Sequence, residues 1–119
     1  MKQRDPIRYA TPLQRAVILL RDGLSCQYCG KSLVGKQWNA EHVIPWNRGG
    51  ETEVENLVVA CRVCNKAKGN RKGIVPGRGP VKHQIVALGI QRRKERLERR
   101  REKRQAAKEQ RRATKALGK

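Results

Sequence analysis

Residues 38–68 read WNAEHVIPWNRGGETEVENLVVACRVCNKAK. An acidic residue directly precedes a histidine (Glu41, His42), and an asparagine heads an apolar run (Asn56, then Leu57, Val58 and Val59). A second asparagine follows a cysteine pair (Cys61, Cys64, Asn65). A carboxylate and a carboxamide are hard oxygen donors of the kind that hold Mg²⁺, and an imidazole beside them is a ready base. The pattern predicts a strand over residues 38–44 that ends around His42, a loop over 45–55 carrying Gly49 and Gly50, a short strand over Leu57–Ala60, and a helix over 62–69. In a regular strand Glu41 and His42 point to opposite faces, so their use in one site predicts a bend at the strand end, with which Pro45 is compatible.

Working outward, Cys61-x-x-Cys64 has a partner upstream in Cys26-x-x-Cys29. Two intervening residues let both thiolates of a pair reach one tetrahedral Zn²⁺ at about 2.3 Å. The 31 residues between Cys29 and Cys61 exceed the roughly 15–20 of a zinc ribbon, and the surplus is accounted for if the hairpin lies between the knuckles. Two rival zinc patterns fail. Cys26, Cys29 and His42 match three ligands of a C₂H₂ finger, but the fourth should follow within a few residues and the next histidine is His83. A zinc deaminase needs H-x-E or C-x-E ahead of P-C-x-x-C, whereas here Glu41 precedes the histidine and Ala60 precedes Cys61.

The 119-residue chain has room for one small domain with extensions, and with 37% hydrophobic and 3% aromatic residues and no Phe it builds a small core. Domains of this size often lean on a metal or on disulfides. The first residues, MKQRDPIRYA, are charged and lack the apolar core of a secretory leader. No apolar run approaches the about 18 residues that a membrane helix needs. The expectation is a soluble, cytoplasmic chain without a membrane partner, in which paired cysteines are zinc ligands rather than disulfides.

The net charge of +19 exceeds what solubility requires and points to a polyanionic partner. Residues 1–70 carry 11 basic against 6 acidic side chains, and residues 71–119 carry 18 against 4. Four segments follow: a basic, mobile lead-in at 1–10, a domain at 11–70, a Gly/Pro linker at 71–80, and a basic arm at 81–119. Thr11 and Pro12 predict an N-cap and first helical residue, and Leu13, Ala16, Val17 and Leu20 an apolar stripe facing the core, with a stop at Asp22-Gly23. Val81, Ile85, Val86 and Ile90 suit a short helix packing back on the domain. The remaining arm has high helix propensity but no continuous apolar stripe, and is expected to be partly helical and disordered until bound.

Taken together, RDGLSCQYCG (21–30), EHVIPWNRGG (41–50) and ENLVVACRVCNKAKG (55–69) resemble the HNH, or ββα-metal, endonuclease family, in the variant that ends in Asn rather than His. The likeness covers about residues 20–69. It implies a small α+β fold of the ββα-metal type with a four-cysteine structural zinc site (Cys26, Cys29, Cys61 and Cys64), preceded by a helix and followed by the basic arm. It implies Glu41 and Asn65 as ligands of a catalytic divalent cation, Mg²⁺ or Mn²⁺, His42 as general base, and Asn56 as the residue that bonds across the loop and holds His42. Glu41 departs from the family's commoner Asp, with an arm still long enough to reach a metal.

Arg62, Lys66, Lys68, Arg71 and Lys72 are the candidate nucleic-acid contacts, and Trp38 and Trp46 are assigned to packing. The expected activity is hydrolysis of phosphodiester bonds in DNA, leaving a 5′-phosphate and a 3′-hydroxyl. RNA offers the same backbone, and a nicking monomer, a homodimer or a larger nucleic-acid-processing complex would each accommodate the chain. The rival reading is a non-catalytic, zinc-stabilised protein associated with RNA or the ribosome, which has no use for Glu41, His42 and Asn65 together.

Overall fold

The computed structural model describes residues 4–118, so the first three residues of the expected lead-in and the last residue of the arm lie outside it. The elements in chain order are α1 (Pro12–Asp22), β1 (Asn39–His42), β2 (Leu57–Ala60), α2 (Arg62–Lys68) and α3 (Val81–Leu117), with 3-10 turns at Trp46–Arg48 and Val54–Asn56 in the loop between the strands. The strands pair antiparallel, Asn39 with Ala60 through His42 with Leu57. This is the β-β-α order expected of residues 38–69, inside a small α+β domain.

Pairing runs through His42, and Val43 N then donates to Asn56 O at 2.8 Å, so the strand does not break before the histidine. The loop closes through a contact that only glycine allows. A Cβ on Gly50 would stand 1.7 Å from the Ile44 carbonyl oxygen and 2.6 Å from its carbon. Gly49 beside it has a positive φ of 88°. The Asn56 carboxamide completes the closure: Oδ1 accepts from Ile44 N at 2.8 Å, and Nδ2 donates to Ile44 O at 3.0 Å and Glu51 O at 2.9 Å.

Helix α1 begins as expected, with a capping box between Thr11 and Gln14 and Pro12 in the first turn. Its orientation differs from the expectation. The stripe faces outward, with Leu13 75% and Leu20 88% exposed, and the buried residue is Ile18. The reason is what the helix covers. Beneath it lie backbone groups of the loop and of β2 that need polar partners. Gln14 donates to Thr52 O at 2.8 Å, Arg21 to Val54 O at 2.8 Å and to Leu57 O, and the Asp22 carboxylate accepts from Val59 N at 3.1 Å. Apolar side chains on that face would leave these groups unpaired.

The chain divides into two compact units, one ending at Ile85 and the other beginning at Val86. Residues 71–80, expected as a linker, belong to the first. Ile74 is 1% exposed, Gly77 N donates to Gln27 O, and Gln84, in the first turns of α3, bonds both Val75 N and Val75 O at 2.9 Å and Gly79 O at 2.8 Å. Val81 is buried in the same unit, whereas Val86 and Ile90 are exposed. In the second unit the basic arm is continuous helix rather than a partly helical chain, as its Arg, Lys, Glu, Gln and Ala content favours. Gln91 and Gln105 each donate to a glutamate one turn on. None of the described helices is long and apolar enough to cross a membrane.

Because Gly50 has no room for a side chain, Gly50→Ala should destabilise the domain by roughly 2–4 kcal/mol through displacement of the loop backbone. Urea unfolding of the two proteins reads this directly.

Candidate active site and zinc cluster

The two cysteine knuckles meet behind the hairpin. Cys26 N donates to Lys31 O and Gly30 N to Cys26 O, and Gln27 N donates to Val59 O at 2.9 Å, which seats the first knuckle on β2. Cys61 caps α2, its sulfur accepting from Cys64 N at 3.3 Å. The four Sγ atoms lie within 4.8 Å of one another, and Cys29 Sγ is 3.8 Å from Cys61 Sγ. Four thiolates at about 2.3 Å around one tetrahedral ion stand about 3.8 Å apart, so the cluster fits Zn²⁺.

The electrostatics agree with that fit. Burial opposes a thiolate at Cys26, but N–H groups of Cys29, Cys61 and Tyr28 outweigh it and bring its pKa down to about 7. Burial pushes Cys64 up to about 12 and raises Cys29. Four thiolates this close need a divalent charge among them. Tyr28, buried between the first two cysteines, is held neutral by burial and by the charge of Glu41.

On the other side of the hairpin, Glu41, His42 and Asn65 line one cavity of about 400 Å³ together with Asn47, Arg8 and Arg15. The first two come from β1 and the third from α2. Asn56 is not part of the lining and acts on the loop backbone, as described. Arg62, Lys66, Arg71 and Lys72 are not buried and line no part of this cavity; Arg71 Nη1 donates to Ala67 O.

Lys68 is a correction. Expected to contact nucleic acid, it is 0% exposed, and its Nζ sits 3.1 Å from Glu41 Oε1 and 2.8 Å from the His42 carbonyl oxygen. A cation this deep needs a carboxylate and a carbonyl to hold it, and the last turn of α2 lies beside the end of β1 where both are found. Burial raises the Glu41 pKa, and the Lys68 charge opposes that rise. Glu41 Oε2 has no hydrogen-bond partner among the described residues, nor does the Asn65 carboxamide. Both therefore offer hard oxygen donors to a divalent cation.

His42 is held by a residue the sequence did not single out. Its Nε2 is 3.0 Å from Thr52 Oγ1, and that hydroxyl bonds the carbonyl oxygens of Ile7 and Arg8. The one hydroxyl proton is committed to a carbonyl, so Oγ1 accepts from His42 Nε2–H, and Nδ1 carries the lone pair. Burial first, then the charges of Lys68 and Arg8 against that of Asp5, holds the imidazole pKa below its ordinary value, so the ring is neutral. Thr52 is itself 3% exposed and fully engaged, its N–H bonding Asp5 Oδ2 at 3.0 Å and its carbonyl accepting from Gln14.

The residues preceding α1 thus close one side of the site. Trp46 Nε1 donates to Asp5 O at 2.8 Å, and Asp5 Oδ1 accepts from Ile7 N. As sequence, residues 1–10 read as a mobile lead-in, because nothing local marks these contacts. The signal present, an Asp two residues before Ile7, is too common to read alone.

Comparison with known proteins finds a likeness over the segment that carries the hairpin and the cysteines. Residues 26–71 match the family model for HNH endonuclease. A segment of 51 residues is 37% identical to CRISPR-associated endonuclease Cas9 of Corynebacterium diphtheriae. The matched segment is 42% of this chain and 5% of that protein.

The purified chain should contain one zinc per molecule, and Cys26→Ser or Cys61→Ser should lose it together with most cooperative unfolding; elemental analysis and calorimetry read both. Lys68→Met should cost roughly 3–5 kcal/mol by leaving Glu41 buried without its cation, and the Glu41→Gln/Lys68→Met pair should recover much of that loss. Chemical denaturation of the three variants tests it.

Proposed function

From the match of residues 26–71 to the family model for HNH endonuclease, we propose that the chain hydrolyses phosphodiester bonds in DNA at the cavity lined by Glu41, His42 and Asn65. The observation that supports this reading most is that a neutral, oriented imidazole lies beside two hard oxygen donors in one solvent-reached cavity. Glu41 and Asn65 would hold Mg²⁺ or Mn²⁺, which supplies positive charge to the phosphate and to the leaving oxygen. His42 Nδ1 takes a proton from the attacking water while Thr52 holds Nε2. The water oxygen bonds phosphorus, the bond from phosphorus to the 3′-oxygen breaks, and the products are a 5′-phosphate and a 3′-hydroxyl that takes its proton from solvent. Lys68 opposes the upward pull of burial on the Glu41 pKa and fixes one of its oxygens. Cys26, Cys29, Cys61 and Cys64 would hold zinc behind the hairpin, where it would supply rigidity and no chemistry.

Nucleic acid fits the charge distribution. Residues 86–119 hold 14 basic against 4 acidic side chains, and the helix that ends at Leu117 exposes its basic side chains from Arg92 to Lys115. Such a surface neutralises phosphates without reading sequence, so it supplies affinity rather than chemistry.

Plasmid nicking by the purified chain in Mg²⁺ or Mn²⁺ tests the proposal. His42→Ala should lower the cleavage rate by about 10²–10⁴-fold while gel-shift binding persists. Equal cutting by His42→Ala would overturn the mechanism. Binding without cleavage by the wild type in either ion would favour a non-catalytic nucleic-acid-binding role.

A further inference from the structure

We propose that Arg8 and Arg15 form a phosphate-binding clamp on the wall of this cavity, gripping the backbone of the nucleic-acid strand presented to His42. The identity of the strand rests on the nuclease reading; the clamp itself rests on how the two guanidinium groups are held.

Each lies on an aromatic ring. Arg15 is 4.2 Å from the centroid of Trp38, and Arg8 is 4.9 Å from that of Trp46 and 5.4 Å from that of Tyr9. Stacking orients a planar guanidinium while leaving the N–H donors at its edge free to bond. Neither group meets a carboxylate or hands a side-chain N–H to an acceptor among the described residues. Three cations elsewhere in the domain are committed to acceptors, Arg21 to Asp22 and two carbonyls, Arg48 to Asn70 O, and Lys68 to Glu41 and His42 O, and the exposed Arg62, Lys66 and Lys72 do not line this cavity. Two uncommitted, pre-oriented forks lining one cavity match the oxygens of a phosphodiester, which such forks bind in a bidentate manner.

The backbone behind them is also fixed. Arg15 lies on α1, one residue from the Gln14 that bonds Thr52 O, and the Arg8 carbonyl takes part in the Thr52 hydroxyl network that reaches His42. A phosphate seated on Arg8 is therefore registered against the base through a single side chain. The tryptophans assigned from sequence to packing serve here as shelves for the arginines.

The test compares full-length wild type, Arg8→Gln/Arg15→Gln and Arg8→Lys/Arg15→Lys, using a short DNA duplex without added Mg²⁺ for binding and plasmid with Mg²⁺ for cleavage. In the Gln pair, the slope of log K against log salt should become shallower by about 0.9, the value for the one phosphate the two forks share. KM should rise, and the emission change of the chain's two tryptophans on adding duplex should disappear. The Lys pair, which keeps charge but not the fork, should restore the slope. An unchanged slope, KM and indole response in the Gln pair would overturn the clamp. If the Gln pair does not fold, the Nε–H NMR signals of Arg8 and Arg15 in the wild type decide: a shift on adding duplex supports the clamp, and none overturns it. A wild type that cuts nothing while these binding signatures hold would sink the nuclease reading and leave the clamp standing.

Discussion

Four sulfur atoms within 4.8 Å of one another set the terms for everything else in this domain. They tie residues 26–29 to residues 61–64, and so close a loop that contains both strands. A domain whose buried apolar set is limited to residues such as Ile18, Leu33, Leu57, Val59, Ile74 and Val81 has little hydrophobic area with which to hold a two-stranded sheet. A metal held by this cluster would replace part of that missing core, because binding free energy at a site absent from the unfolded chain is folding free energy. The cluster also fixes the start of α2 through the cap at Cys61, and α2 in turn carries Asn65 and Lys68 to the far side of the hairpin.

That far side is held by polar interactions rather than by apolar packing. Lys68 ties the end of α2 to the end of β1, Asn56 closes the loop over Ile44, and Gln14 and Thr52 join α1, the loop and the residues before the helix. The Lys68–Glu41 pair is buried and the Gln14–Thr52 bond partly so, and removing one partner of such a bond leaves the other unpaired, which makes this part of the network sensitive to single substitutions. The same network orients the imidazole. Structural and chemical requirements therefore fall on the same atoms: the Thr52 hydroxyl both anchors the preceding segment and selects the nitrogen of His42 that carries the lone pair.

Charge is partitioned to match. Within the first unit several cations are spent on internal acceptors, and the two arginines facing the cavity are kept from any described carboxylate. The second unit is a helix whose basic side chains lie in solvent, where long-range attraction to a polyanion needs no defined geometry. In the proposed nuclease, affinity and positioning would thereby be carried by different residues.

The sequence by itself determined whatever depends on neighbours along the chain. The cysteine spacing, the Thr11–Pro12 helix start, the short strands around a Gly-Gly loop and the helical bias of the arm are local patterns, and the structure contains each. The meeting of Glu41, His42 and Asn65 in one cavity was legible chiefly through the resemblance to the HNH family, since regular strand alternation by itself would send Glu41 and His42 to opposite faces. Only the tertiary structure decided which way α1 faces, since its inner surface answers to backbone groups of residues 52–59 rather than to its own apolar period. It alone turned Lys68 inward, against a carboxylate 27 positions earlier, folded residues 71–80 onto the domain through Gln84, and brought Arg8 and Thr52 beside His42. These contacts join polar side chains far apart in sequence, and a hydrogen bond leaves no periodicity to read.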